Sequence, residues 1–171
     1  MSIKAGFGTI AICLAAAMPL AAKAVDTPAT QAIHIDVPVV LKDAKVLYNM
    51  DHSSAMTGDQ PVGLTYMSLT VKKFQKDHTS WKMVAVFHNT MAYLLLNDAA
   101  YNKARKTSHG NPYKDQVAAL IKEGVQIEEC AVSMKNNGWT NADVLPDVKV
   151  DSGAVGRIVQ LVQDGYVQLE P

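Results

Sequence analysis

Short apolar runs alternate with stretches of helical period along most of this chain. Residues 44–50 and 81–87 read as strands, the second apolar at nearly every position, as suits a strand covered on both faces. Shorter strands are expected at 148–150 and 166–169. Residues 37–42 read as an edge strand, because Pro38 lacks the amide that a central strand would use. Between these runs, Leu64, Met67, Val71 and Phe74 recur at helical spacing behind Pro61, which is expected as the first helical residue. Residues 91–96 and 97–104 read as short helices. Asn111 as N-cap and Pro112 as first residue predict a helix buried along Tyr113, Val117, Leu120 and Ile121. Ser152 is expected to cap a last helix with a buried stripe of Val155, Ile158, Val159 and Val162. Alternating strands and helices predict a three-layer α/β fold: a mostly parallel sheet of about five strands with helices on both faces.

One run stands out chemically. Gly124 suits the left-handed position past a helix end. The apolar phase then starts as Val125, Ile127 and changes to Cys130, Val132, Met134, which predicts either a bulge near Glu128 and Glu129 or the end of the strand there. Cys130 is late in its strand, and open parallel sheets bind ligands beyond the carboxyl ends of their strands. Two other strands end in Asp51-His52 and in His88-Asn89. Trp139, in the polar stretch after Met134, reads either as a lid over the thiol or as an oligomer contact.

Composition changes this picture at the N-terminus. Residues 5–22 carry no charge, follow Lys4, and end in Ala22-Lys23-Ala24, the small-x-small pattern of a signal-peptidase site. We therefore read 1–24 as a signal peptide, 25–43 as a lead-in containing the tail residue His34, and 44–171 as one α/β domain, exported to the periplasm or beyond. Lys/Arg and Asp/Glu each number 16, and the leader would remove two bases and no acid. That balance gives no reason to expect nucleic acid, or a membrane after cleavage, as a partner. Cleavage would also remove Cys13. Cys130 is then unpaired in an oxidising compartment: a buried inert thiol, half of an intermolecular bond, or a thiol used in chemistry.

A thiolate is the nucleophilic form of cysteine, and a free thiol supplies little of it at neutral pH, so an imidazole or other cation is expected nearby. His88 is the candidate partner, while Glu128 and Glu129 would oppose ionisation if close. Asp51, His52, Asn89 and Trp139 complete the candidate binding residues. Cys130, His88 and His52 show none of the short spacings typical of a metal site, and neither metal nor cofactor is expected. No serine lies in a G-x-S-x-G elbow.

The segments 44–51, 84–88, Asn111-Pro112, 124–130, 145–148 and Gly165-Tyr166, in this order and spacing, resemble the DsrE/DsrF-like family over roughly residues 44–171. The resemblance implies a three-layer α/β fold, oligomers of similar subunits with trimers and hexamers common, and in some members a cysteine that carries sulfane sulfur as a persulfide in a sulfur relay. That cysteine's place falls on Cys130. The expectation is therefore a persulfide carrier that self-associates and meets a sulfur donor or acceptor protein. The alternative is an oligomeric binding module for a small ligand or partner protein, with tyrosines such as Tyr93, Tyr101, Tyr113 and Tyr166 as contacts and the thiol structural.

Overall fold

The computed structural model describes residues 33–52, 56–58 and 60–171. The leader read at 1–24 lies outside the described residues. Residues 33–38 belong to an N-terminal unit, carry neither helix nor strand, and hold His34 3.3 Å from Asp36.

Residues 39–171 form the second unit. Its elements run β1 (Asp43–Met50), a small antiparallel hairpin of β2 (Met56–Thr57) and β3 (Gln60–Pro61), α1 (Val62–Lys76), β4 (Ser80–Phe87) and a 3-10 segment (Asn89–Leu95). Next come α2 (Asp98–Arg105), α3 (Lys114–Lys122), β5 (Gln126–Cys130), α4 (Ala131–Asn137), a 3-10 turn (Asn141–Asp143), β6 (Lys149–Asp151), α5 (Ala154–Gln163) and β7 (Val167–Leu169). Five strands make one all-parallel sheet in the order β6-β5-β4-β1-β7. The strand expected at 37–42 is not formed. Both flanks of β1 are already occupied, by β4 and β7, so no sheet edge is left beside it.

The period of two along the strands sends successive side chains to opposite faces. Val46, Tyr48 and Met50 of β1, Met83, Ala85 and Phe87 of β4, and Ile127 of β5 meet Leu64, Met67, Val71 and Phe74 of α1 and Val117 and Leu120 of α3. Leu47, Val84, Val86 and Cys130 face the other way, against Ala154 and Leu161 of α5. Each large apolar side chain so buried contributes about 1.5–3 kcal/mol before entropy is counted. Helices on both faces explain why β4 is apolar without a break from Met83 to Phe87.

Several local expectations shift. Pro61 pairs with Met56 and is the N-cap, so α1 starts at Val62. Asn111 is not a helix cap: its Oδ1 accepts from the Tyr113 amide at 2.9 Å, and its Nδ2 donates to the carbonyls of Leu94 and Leu96 at 2.8 and 2.6 Å. The buried amide closes a turn over 111–113 and delays α3 to Lys114. β5 has no bulge, since its pairing with β4 steps evenly from Val84↔Gln126 to Phe87↔Glu129. Its end at Cys130 causes the phase change, because Val132 and Met134 already belong to α4. β6 and α5 also begin later than expected, and Gly153, not Ser152, is the N-cap of α5. On α5, Val155, Val159 and Val162 are exposed, and the helix meets the sheet through Ala154, Ile158 and Leu161. The reason for that rotation lies in the site.

Candidate functional site

Pairing brings the polar strand ends together. Met50 stands opposite Phe87, Phe87 opposite Glu129, and Cys130 opposite Asp151, so the ends of β1, β4, β5 and β6 form one carboxyl edge. A cavity of about 290 Å³ opens there, lined by Cys130, His88, Asn89, Ser133, Asn136 and the start of α5. Cys130 is 3 % exposed and, among the described residues, is the one free cysteine.

The tight connection from β6 into α5 places a donor on the sulfur. Asp151 Oδ1 accepts from the Gly153 amide at 2.7 Å, turning the chain at once into α5, and the Ala154 amide donates to Cys130 Sγ at 3.3 Å. This amide opens a ten-residue helix, whose N-terminal dipole favours negative charge at that point. Three residues on, Arg157 binds Glu128 through Nε to Oε2 and Nη2 to Oε1, both at 2.8 Å. Glu128 is buried on the same face of β5 as Cys130, and Gln126 also donates to it. The pair fixes the rotation of α5 on the sheet, which leaves the valines outward. The Glu128 hydrogen bonds hold Arg157 above its usual pKa.

The expectation that both glutamates oppose the thiolate is therefore corrected for each. Glu128 is compensated by Arg157. Glu129 points to the opposite face by the alternation of β5, is fully buried, and has no hydrogen-bond partner for either oxygen among the described residues. Burial first, then the neighbouring Cys130 and Asp151, push its pKa up to about 10, so it is uncharged at neutral pH. Asp151 is also raised, chiefly by burial, with the Gly153 amide pulling the other way.

His88 stands beside this thiol pocket in a defined tautomer. Its Nε2 lies 2.8 Å from Asn49 Oδ1, while Asn49 Nδ2 donates to Glu170 Oε1 at 3.1 Å. An amide oxygen only accepts, so Nε2 carries the imidazole proton and Nδ1 keeps a lone pair in the neutral ring. The remaining candidates separate. Asn89, at φ +54°, lines the cavity, donates its amide to Ser133 Oγ at 2.9 Å and its Nδ2 to Asp51 Oδ1 at 3.0 Å. Asp51 thus supports Asn89, and His52 pairs with Asp51 at 3.2 Å; neither lines the thiol cavity. Trp139 does not cover the thiol. It packs with Leu96, Ala100 and Tyr101 and lines a different hollow beside Tyr93 and Arg105.

Sequence reasoning missed Asn49, Ser133, Asp151 and the Glu128–Arg157 pair. One signal was available: Asp-Ser-Gly ahead of an apolar helical period is an Asx-type turn into a helix.

These features define a three-layer α/β protein with a buried thiol at the carboxyl edge of an open parallel sheet. The chain belongs to the DsrE/DsrF-like family, whose model matches residues 48–171. A solved protein of unknown function from Methanobacterium thermoautotrophicum has the same fold, at TM-score 0.55 and 22 % identity, over 76 % of this chain and 99 % of its own. No curated protein sequence matches the chain.

Proposed function

We propose that this chain is an exported sulfur carrier that holds sulfane sulfur as a persulfide on Cys130. The observation that carries the reading is the donation from the first amide of α5 to Cys130 Sγ within a cavity that also presents His88. Membership of a family that includes sulfur-relay proteins supports it. In the proposed step the Cys130 proton passes to His88 Nδ1, and the thiolate attacks the terminal sulfur of a donor persulfide, R–S–SH. The new Sγ–S bond forms as the donor S–S bond breaks, and the donor leaves as R–S⁻, taking up the proton held by His88. No external oxidant is needed, because one S–S bond replaces another. A location in the periplasm or outside the cell, self-association, and a donor or acceptor protein belong to the same proposal.

Purified protein treated with a sulfane donor is expected to gain about 32 Da, one sulfur atom per persulfidated cysteine. Cys130→Ser removes the gain. A folded protein whose mass never changes would sink the carrier role. The near-complete burial of Cys130 favours a second reading, a binding module with a structural thiol. That reading predicts no mass gain, and a Cys130→Ser variant that binds ligand as the parent does.

A further inference from the structure

A second cleft, of about 660 Å³, shares no lining residue with the thiol cavity. Its aromatic part is built by three tyrosines from successive elements: Tyr93 of the 3-10 segment, Tyr101 of α2, and Tyr113 at the start of α3. Tyr93 and Tyr101 have ring centroids 5.9 Å apart at 51°, and Tyr101 and Tyr113 lie 6.3 Å apart at 72°. Tyr101 is buried, Tyr93 and Tyr113 are half-buried, and all three line the cleft. Arg105 lies over Tyr93 with its guanidinium carbon 4.2 Å from the ring centroid. It has neither a carboxylate nor a hydrogen-bond partner among the described residues.

Among the described residues that line the cleft, Arg105 is the charged one, and Gln60 and Gln116 add neutral polar groups. A guanidinium stacked on a ring keeps its N–H edges free and is oriented before any ligand arrives, and that fork matches a carboxylate. Aromatic faces and edges take a flat ring in offset or edge contact. The volume falls within the range of small-molecule sites. We propose that this cleft binds a planar aromatic anion of the aryl carboxylate class, its ring against Tyr93, Tyr101 and Tyr113 and its carboxylate on Arg105. The site is independent of the thiol chemistry.

Calorimetry with three probes tests it: 2-naphthoate, the uncharged 2-naphthamide, and cyclohexanecarboxylate, which keeps the charge without a flat ring. Naphthoate is expected to bind at least about tenfold more tightly than either of the others, the loss of one charge-assisted contact or of the ring contacts costing about a factor of ten or more. Arg105→Gln, on an exposed helix end and checked for fold by circular dichroism, should weaken naphthoate by a similar factor and leave naphthamide unchanged. Cys130→Ser should bind naphthoate as the parent does. No naphthoate binding up to millimolar concentration, equal binding of acid and amide, or affinity indifferent to Arg105→Gln would each overturn the proposal.

Discussion

Arg157 holds both carboxylate oxygens of Glu128, 29 residues away, and so sets the first turn of α5 on the end of β5. Arg157→Ala leaves the buried Glu128 carboxylate without its cation. The expected loss is about 3 kcal/mol, the lower end for a broken buried pair because the arginine is partly solvated. Urea unfolding checks it. In a Glu128→Gln background, the same substitution should cost clearly less, since the uncompensated charge is gone.

Glu129 predicts an unusual pH dependence of stability. Its folded pKa of about 10 lies above the ordinary 4.5, so between those values the folded protein keeps a proton that the unfolded chain has released. The unfolded state binds fewer protons there, and stability falls as pH rises. The contribution is complete below pH 4.5 and is lost progressively toward pH 10. The slope is at most about 1.4 kcal/mol per pH unit. Glu129→Gln should flatten that slope and raise the melting temperature at pH 9 relative to the parent. A parallel pair of curves would show that Glu129 ionises freely in the folded protein.

The Asn49–His88 hydrogen bond predicts the pH profile of the thiol. If His88 Nδ1 receives the Cys130 proton, His88→Ala should slow iodoacetamide alkylation of Cys130 at neutral pH by at least about tenfold, a modest general-base effect. Asn49→Leu, which frees the imidazole without removing it, should slow the reaction less. An unchanged rate-versus-pH curve in His88→Ala would take the histidine out of the proton path.

Asn89 sits at φ +54°, a region costly for β-branched side chains and mild for asparagine or glycine. Asn89→Val should lose about 1–3 kcal/mol from backbone strain, together with its bond to Asp51. Asn89→Gly should lose less, keeping the amide bond to Ser133. Equal losses in thermal unfolding would mean that the side-chain bond, not the backbone, carries the effect.

The sequence by itself determined the parallel α/β plan and the place of its cysteine. Leu64, Met67, Val71 and Phe74 form the buried face of α1 as their spacing requires, and the unbroken apolar run of β4 is covered on both sides. Those features depend on periodicities of a few residues, which a single segment carries complete. What surrounds the thiol was decided by tertiary structure. Strand order brings Asp151 opposite Cys130, and the crossover of α5 brings Ala154 to the sulfur and Arg157 to Glu128. The valines of α5 illustrate the difference. Their spacing marks an apolar stripe, but an ion pair formed with a distant strand fixes the helix rotation and leaves them outside. Likewise, two adjacent glutamates look alike in one dimension, whereas alternation along β5 and the arginine across the sheet leave one charged and paired and the other buried and protonated.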